Sequence, residues 1–287
     1  MTSTHAGIVV GYDGSPDADA ALEWAARAAT LRKLPLTAVV VEDFPTWMVV
    51  SPTEEEEQEN RYGPYGGELR QRAESLLASF EVPTCATELR RGPVVSEMLD
   101  ASADADLLVV GSNGHGKLSG ALSGSVSQHL ARHARCPVVV VRAPADPRAT
   151  RIVVGVDGSG GSQDALEFAC VQGQLTGQPV VAVHGWRLWN VPVDKHGDLP
   201  APLANRISDH ERLLADAVAG LAEKFPDVDL STESIPVPAA RVLADASMTA
   251  ALVVVGSRGR GAFEGMLLGS VGQEVMHRAH CPVAIVR

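Results

Sequence analysis

The sequence predicts an α/β protein built from two tandem, doubly wound domains of the Rossmann-like kind. Three observations lead to this prediction. The 287 residues exceed the roughly 100–150 residues of an ordinary domain. The two halves of the chain repeat each other, and within each half short β-branched runs alternate with longer helical stretches. Such alternation is typical of a parallel sheet with helices on both faces.

The repeat is visible at three places along the chain. The run 8–15 (IVVGYDGS) returns at 152–159 as IVVGVDGS, and the run 108–112 (LVVGS) returns at 253–257 as VVVGS. The run 136–142 (CPVVVVR) returns at 281–287 as CPVAIVR. The spacing between copies changes by a single residue over this length. A period this long exceeds the roughly 20–50 residues of solenoid repeats, so each copy is a domain.

Each element of the first half has a local signal. The strands read as nearly continuous Val, Leu and Ile, which indicates burial on both faces. Ser15 followed by Pro16 predicts a helix start, with serine as N-cap and proline at the first helical position. We predict strands near 8–13, 36–42, 84–89, 106–111 and 137–142, and helices near 16–32, 66–80, 93–103 and 124–134.

The domain boundaries follow from the repeat and from a proline-containing segment between the copies. Residues 143–150 (APADPRAT) lack periodicity and contain two prolines. We therefore expect a first domain over 1–142, a linker over 143–150 and a second domain of the same kind over 151–287.

Composition excludes several classes of function. A formal charge of −11 argues against broad attraction to nucleic acid or to an anionic membrane. The apolar runs are far shorter than the roughly 20 residues of a membrane span, and no secretory signal is recognisable. The four cysteines show no C-x-x-C spacing, so we expect reduced thiols and a cytoplasmic protein.

A glycine-rich segment follows the predicted fourth strand in each half. Its glycines let main-chain N–H groups approach a phosphate closely, and the helix that follows adds unsatisfied donors and a partial positive charge. The segment therefore predicts a phosphate-binding loop. The shared spacing is G-x2-G-x9-G-S, formed by Gly111, Gly114, Gly124 and Ser125 in one half and by Gly256, Gly259, Gly269 and Ser270 in the other.

Asp13 and Asp157 close the predicted first strand of each half. Ligands of open parallel sheets bind beyond the carboxyl ends of the strands, so these carboxylates should stand at the same edge as the glycine-rich loops. A carboxylate there suits ribose hydroxyls or a metal ion on the phosphates. Two alternatives stay open: the glycines only form turns, and Asp13 only begins an Asx-turn into the helix.

Two other nucleotide signatures do not fit. Gly111-x4-Gly116-Lys117 resembles the start of a P-loop, but Leu118 stands in place of the Mg²⁺-binding Ser or Thr, and the second half has Ala262 in place of the lysine. The dinucleotide fingerprint after the first strand is missing as well. We do not expect an NAD enzyme.

Taken together, the strand start with hydrophobic-Gly-x-Asp-Gly-Ser, the long-gapped glycine loop and the closing Cys-Pro-Val strand, each present twice, resemble the universal stress protein family in its tandem, ATP-binding form. The resemblance covers nearly the whole chain. It implies a five-stranded parallel sheet of order 3-2-1-4-5 in each domain, with ATP in the crevice beyond the strand ends.

The resemblance also implies the ligand contacts. Asp13 and Asp157 would contact ribose, and Val41 and Gly185 would meet adenine. Two matching sets would surround ribose and phosphates: Val110, Gly111, Asn113, Gly114, Gly124, Ser125 and Val126 in the first half, and Val255, Gly256, Arg258, Gly259, Gly269, Ser270 and Val271 in the second.

The function implied by the resemblance is that of an ATP-binding regulator in stress response or slowed growth, acting on an unidentified protein partner. Mg²⁺ on the ATP phosphates and a homodimer of two-domain chains are compatible with it. The alternative is an ATP-hydrolysing enzyme of the related adenine-nucleotide α/β group. Phosphoryl transfer needs a positioned acceptor and charge neutralisation, and no general base stands out in both copies. We therefore assign no catalytic residue and expect slow or no ATPase activity.

The copies differ where they should touch phosphate. Arg258 and Arg260 replace Asn113 and His115, and Gly272 replaces Ser127. We therefore expect one shared ligand with unequal affinities.

Weaker signals have ordinary interpretations. His129 and His133 are spaced as a helical metal chelate would be, but no third ligand accompanies them, so we expect an exposed helix face and no metal site. The acidic run 54–57 predicts an exposed loop, with a lid over the nucleotide or a partner surface as the alternatives. Trp186 and Trp189 occupy the corresponding stretch of the second half.

Overall fold

Both halves of the chain contain the predicted alternation of strands and helices. The structure is a computed structural model that describes residues 7–43, 64–114, 124–144, 146–188, 201–261 and 267–287. The chain divides into two compact units, Met1–Ala143 and Pro144–Arg287, and each is described by itself. Within the described ranges, no helix is long and apolar enough to cross a membrane.

The first unit alternates strands with helices from its first described residues to its last strand. The strands are β1 (Ile8–Gly11), β2 (Leu36–Glu42), β3 (Cys85–Arg91), β4 (Leu107–Gly111) and β5 (Val138–Val141). The helices are α1 (Pro16–Arg32), α2 (Pro64–Leu77), α3 (Val94–Ala101) and α4 (Ser125–His133).

The second unit repeats this order, with one extra short helix. Its strands are β6 (Arg151–Gly155), β7 (Val180–Gly185), β8 (Leu230–Ile235), β9 (Ala250–Gly256) and β10 (Val283–Val286). Its helices are α5 (Gly160–Thr176), α6 (Ala201–Val218), α7 (Leu221–Lys224), α8 (Ala239–Ala246) and α9 (Ser270–Arg278).

The described strands of each unit form a parallel sheet in the predicted order. In the first unit the order is β3-β2-β1-β4-β5, and in the second it is β8-β7-β6-β9-β10. The two registers agree, because Ile8 pairs with Leu36 in β2 and Ile152 pairs with Val180 in β7. The order reverses beside β1 and beside β6, which opens a crevice at the carboxyl ends of β1 and β4 and of β6 and β9. The predicted fold class is therefore confirmed.

Helices cover both faces of each sheet. A Cβ placed on Gly111 would lie 2.9 Å from the backbone carbon of Asp17 in α1. A Cβ placed on Gly11 would lie 3.1 Å from the terminal methyl of Met98 in α3 and 3.4 Å from Val110, the neighbour of Gly111. Since successive residues of a strand point to opposite faces, α1 and α3 lie on opposite sides of the sheet. The strands β4 and β5 are accordingly buried on both faces, as their apolar sequences predict.

The first helix of each unit begins as the sequence predicts. Ser15 caps α1, and its Oγ accepts the N–H of Ala18 at 3.2 Å. Ser159 caps α5 in the same way, accepting the N–H of Ser162 at 3.2 Å. Each cap satisfies a first-turn donor that has no partner within the helix. At the other end, α5 stops at Gly177, whose left-handed backbone is accessible to glycine at no steric cost.

The observed boundaries differ from the predicted ones by up to three residues at the ends of both helices and strands. β1 ends at Gly11, two residues before the predicted end, although the Tyr12 N–H still donates to Val39 O at 2.9 Å. The chain then leaves the sheet at Asp13, since the next residue, Gly14, has a φ of 80° that no strand residue adopts. The acidic run 54–57 and Trp189 lie outside the described residues.

Burial on α1 predicts which of its leucines stabilises the first unit. Leu22 is fully buried, whereas Leu31 on the same helix is 42% exposed. We expect Leu22→Ala to lower the free energy of unfolding of the first unit by about 2–5 kcal/mol, because it leaves a cavity in the core. Leu31→Ala, the matched control, should change it by no more than about 0.5 kcal/mol. Urea unfolding followed by circular dichroism measures both, and equal shifts would contradict this packing.

Candidate nucleotide site

The carboxyl edge of each sheet brings the predicted residues of the first strand and of the glycine-rich loop together. In the first unit Asp13 follows β1, while Gly111 ends β4 and Gly114 lies three residues beyond it. In the second unit Asp157 follows β6 and is approached by Gly259 of the loop after β9. These are the positions at which parallel sheets bind ligands.

The first glycine loop lies directly against the Asp13 carboxylate. A Cβ placed on Gly114 would lie 2.4 Å from Asp13 Oδ2, closer than any side chain tolerates. The other carboxylate oxygen, Oδ1, accepts the N–H of Ser15 at 3.0 Å. This second bond is the Asx-turn that the sequence left as an alternative. Asp13 therefore both forms the turn into α1 and presents an oxygen to the glycine loop.

Asp17, in the first turn of α1, holds the same loop through hydrogen bonds to two of its side chains. Its Oδ2 accepts the hydroxyl of Ser112 at 2.6 Å and the side-chain amide of Asn113 at 2.9 Å. The Ser15 hydroxyl donates to the Asn113 carbonyl at 3.2 Å. Asn113 is thus held through its side chain and its backbone. Asp17 and Ser112 were not predicted from the sequence, because the two residues lie 95 positions apart and no local pattern pairs them.

The second loop is fastened to its strand-end carboxylate by a direct bond. Asp157 Oδ2 accepts the backbone N–H of Arg260 at 2.9 Å. Oδ1 accepts the backbone N–H of Ser159 at 3.0 Å and its hydroxyl at 2.6 Å. A Cβ placed on Gly259 would lie 2.3 Å from Asp157 Oδ2. The same close approach thus occurs independently in both units.

Asp157 is held in its charged form by these bonds. Burial by itself would raise the pKa of this carboxyl, but the hydrogen bonds from Ser159 and from the Arg260 backbone outweigh burial and lower the pKa below its ordinary value. Asp157 is therefore an acceptor of hydrogen bonds at neutral pH, which is what a pair of ribose hydroxyls requires.

The helix after each glycine loop begins with uncapped donors. The N-cap residues of α4 and α9 are Gly124 and Gly269, which have no side chain to accept a first-turn N–H. Their own N–H groups donate to Ser112 O and Ser257 O, both at 2.7 Å, which fixes each helix start against its loop. The helix N-termini therefore present N–H groups and a partial positive charge at the loop.

The predicted serines occupy the first position of these helices. Ser125 and Ser270 are both exposed, and the following Val126 and Val271 are half-buried. An exposed hydroxyl at the first helical position is placed to donate to an anion bound at the helix N-terminus.

Four of the predicted ligand-contact positions have no polar side chain, and they differ in burial and packing. Val110 and Val255 are 5% and 3% exposed, so they support the loop from within the sheet. Val41 is half-buried near the end of β2, beside the strand that carries Asp13. Gly185 ends β7, but a Cβ placed there would lie 2.5 Å from the Cα of Ala239, so this residue packs closely against the start of α8. Gly185 therefore offers only its peptide group to a ligand.

The two units differ in how the loop meets the helix before it. Gly161 takes the place of Asp17, and a Cβ placed on Gly161 would lie 2.7 Å from the Arg258 carbonyl. Arg258 and Arg260 are exposed on this loop. A cavity of about 420 Å³ adjoins Gly158 and Arg260, with Asp209, Arg212 and Asp216 of α6 along its wall. The second site is therefore more cationic at the loop than the first, as the sequence predicts.

No group of three or more His, Cys, Asp or Glu side chains suited to a metal ion occurs among the residues that the structure describes. His129 and His133 stack along α4 with ring centroids 6.1 Å apart. Each Nδ1 lies within 2.9 Å of a backbone carbonyl one turn earlier, so each ring is oriented by its own helix.

Comparison with known proteins identifies relatives of the whole chain. The sequence model of the universal stress protein family matches twice, over residues 7–142 and 149–287. A universal stress protein of Mycobacterium tuberculosis is 37% identical over 289 residues, which cover 98% of this chain and 96% of that protein. A universal stress protein of Mycolicibacterium smegmatis is 36% identical over 300 residues, covering 100% of this chain and 99% of that protein.

Solved structures resemble this fold over the same length. The crystal structure of a universal stress protein from Archaeoglobus fulgidus superposes with a TM-score of 0.63 at 18% sequence identity, and the match covers 99% of each chain.

The contact between Gly259 and Asp157 predicts a strong effect of a single methyl group. Gly259→Ala should push the carboxylate away and break its bond to the Arg260 N–H, which we expect to cost about 1–3 kcal/mol of unfolding free energy. Gly261→Ala is the matched control, because a Cβ there meets nothing within 4 Å. Hydrogen exchange should show loss of protection at the Arg260 amide in the first variant only. Retained protection in Gly259→Ala would contradict the contact.

The lowered pKa of Asp157 predicts a pH-dependent contribution to stability. A carboxyl whose pKa is lower in the folded state stabilises the fold above its unfolded pKa, and this contribution is lost as the pH falls through the folded-state pKa. The Asp157→Asn variant should therefore be less stable than the wild-type chain at neutral pH, and the difference should shrink as the pH falls below about 4. Denaturant unfolding at several pH values measures it, and a difference independent of pH would be the contrary result.

Proposed function

The chain belongs to the universal stress protein family, and on that premise we propose that each unit binds one adenine nucleotide, ATP, in the crevice at the carboxyl edge of its sheet. The triphosphate would lie on the glycine-rich loop and the following helix N-terminus. The ribose would meet Asp13 in the first unit and Asp157 in the second.

The observation that carries the proposal is the difference between the two kinds of helix start in each unit. One first-turn N–H of α1 and one of α5 are accepted by the serine N-caps Ser15 and Ser159. The starts of α4 and α9, where the glycine loops end, have glycine N-caps that cannot do this. A helix N-terminus with available N–H groups beside a glycine loop is a favourable environment for phosphate. That this combination occurs twice, at the same place in the sheet, supports one ligand per unit.

Adenosine is the proposed base and sugar because of the neighbouring groups and the family. A carboxylate at the end of the first strand suits the two ribose hydroxyls, as in other parallel sheets that bind nucleotides. The peptide groups at the ends of β2 and β7, near Val41 and Gly185, lie beside that strand and would face the adenine ring. The proposal assigns no metal ligand, and a Mg²⁺ ion would accompany ATP through its phosphates.

The geometry favours a nucleotide-dependent regulator over an ATP-hydrolysing enzyme. A general base must accept a proton, and one whose pKa is lowered does so less readily. Asp157, the carboxylate nearest the second loop, has its pKa lowered and its oxygens engaged by Ser159 and Arg260. We propose that the nucleotide-loaded chain changes its contacts with a protein partner during stress or slowed growth, with slow or no turnover of ATP.

The proposal predicts two ATP molecules per chain. In titration calorimetry, Asp13→Ala and Asp157→Ala should each weaken one of the two sites at least about tenfold, which corresponds to about 1.4 kcal/mol. The double variant should lose both sites. GTP should bind more weakly than ATP, because the ring would be read at the strand ends.

Asp164→Ala is the control, because Asp164 is an exposed carboxylate of α5 outside the proposed set of ligand contacts. Circular dichroism of each variant verifies that it folds. Absence of ATP binding by the wild-type chain, together with absence of nucleotide released on denaturing the purified protein, would refute the proposal. Steady turnover near about 1 s⁻¹ would favour the enzyme alternative.

A further inference from the structure

A hydrogen-bonded pair of histidines joins the second strand of the second unit, β7, to the helix α6. His184 is buried, and its Nδ1 lies 2.6 Å from the carbonyl oxygen of Val156, the residue before Asp157. Its Nε2 lies 2.9 Å from Nδ1 of His210 on α6. A carbonyl only accepts, so His184 Nδ1 carries a hydrogen and its Nε2 accepts the Nδ1 hydrogen of His210. The pair therefore connects α6 to the strand end that carries Asp157.

The outer ring of the pair is held in a fixed position. The ring of His210 stacks on the indole of Trp186, with centroids 4.3 Å apart and an interplanar angle of 18°. The indole N–H donates to Ser234 Oγ at 3.1 Å, and the Arg206 guanidinium lies 5.8 Å from the indole centroid. These contacts leave His210 Nε2 as the nitrogen of the pair that can take up a further proton.

The pair can take up one proton without breaking its hydrogen bond. A proton on His210 Nε2 leaves the Nδ1–H bond to His184 intact. A second proton would put two N–H groups 2.9 Å apart, facing each other. One additional proton, on His210 Nε2, therefore changes the charge of the pair by one and leaves its hydrogen bond in place.

The charges around His210 come from three elements. Arg206 and Asp209 lie on α6 itself, His184 lies on β7, and Arg260 lies on the glycine-rich loop. Burial contributes most, followed by His184 and Arg206, and together they lower the pKa of His210 while Asp209 opposes them. With its pKa lowered, His210 is neutral at pH 7 in the unliganded chain, and its protonated form is opposed by the same loop arginine whose N–H binds Asp157.

The first unit has no counterpart to this pair. Ile8 pairs with Leu36 as Ile152 pairs with Val180, so Val40 stands where the second unit has His184, and Glu42 stands in place of Trp186. Glu42 instead accepts the N–H of Gly66 at 3.1 Å. The first unit is therefore an internal control for the second. The two candidate sites share the same glycine spacing, and only the second has the histidine pair behind it.

We propose that the His184–His210 pair couples nucleotide binding by the second unit to the uptake of one proton, so that the affinity of this site for ATP rises as the pH falls. The inference rests on the proposed function, because the anion that drives it is the bound triphosphate. Negative charge at the Arg260 loop offsets the positive charge of Arg260 that disfavours an imidazolium at His210. Binding therefore favours the protonated pair, and by linkage protonation favours binding.

The direction of the pH effect on affinity follows from the neutral state of His210 in the chain without nucleotide. If binding raises the pKa of the pair, a proton is taken up on binding at any pH between the free and the bound pKa. The affinity then increases as the pH falls through that interval and becomes constant below it. The first unit, with Val40 in this position, lacks this contribution.

Titration calorimetry with ATP at about pH 6, in two buffers of different ionisation enthalpy, counts the protons taken up on binding. Asp13→Ala leaves the second site intact, and Asp157→Ala leaves the first. Free ATP has the same ionisation in both titrations, and the histidine variants below separate the contribution of the pair from that of the bound phosphates. We expect greater proton uptake in the Asp13→Ala chain, and an affinity gain from pH 7.5 to 5.5 that exceeds that of the other chain by about threefold or more.

Two further substitutions in the Asp13→Ala chain test the pair directly. His184→Val introduces the residue that the first unit has at this position, and His210→Gln keeps an amide donor toward His184 without a titrating ring. Both should bind ATP with the proton uptake of the first site. Equal uptake by the two single-site chains, or uptake that persists in both histidine variants, would overturn the inference while leaving the proposed function intact. Absence of ATP binding in the wild-type chain would overturn the proposed function, and this inference with it.

Discussion

The close approach of a glycine to the first-strand carboxylate determines the form of both candidate sites. Gly114 and Gly259 lie so near Asp13 and Asp157 that a Cβ at either position would force the carboxylate to move. The contact joins the end of the central strand to the loop after its neighbour, so carboxylate and loop backbone lie side by side at the edge of the sheet. A side chain at this point would push the carboxylate away from the loop, and the proposed ribose and phosphate subsites would move apart. The glycine therefore keeps carboxylate and loop together in addition to forming a turn.

Two kinds of helix start lie beside this contact, and they differ in the hydrogen bonds that their N-cap residues make. Ser15 and Ser159 each accept one first-turn N–H, of Ala18 in α1 and of Ser162 in α5, and so fix the strand-end turns. The helices after the glycine loops start at Gly124 and Gly269, which have no side chain to accept a first-turn N–H. One kind of helix start thus stabilises the turn after the first strand, and the other is the proposed anion site. The same sheet edge performs both tasks because the strand order reverses there.

The sequence predicted the fold well because the strongest signals were periodic and duplicated. Buried strands read as continuous Val and Leu, and the predicted bounds of α1, from 16 to 32, agree with the structure because Ser15 and Pro16 determine its start locally. Candidate site residues were predicted at the positions where the backbone conformation demands glycine. Asp17 and the pair of His184 and His210 escaped prediction, since each acts through a partner far away in sequence. No local pattern indicates that Asp17 meets Ser112, or that a histidine ending β7 meets one on α6.

The duplication explains how two sites with one ligand can differ in their response to conditions. The glycine positions and the carboxylate are the same in both units, and in both the loop packs against the carboxylate. The residues one layer behind differ: Gly161 takes the place of Asp17, and His184 takes the place of Val40. Substitutions in this layer change the charge and the hydrogen bonds behind the loop and leave the close contact of glycine and carboxylate unchanged. If both proposed sites bind ATP, a tandem chain can therefore hold two sites for one ligand whose affinities respond differently to pH, which a single domain could not combine.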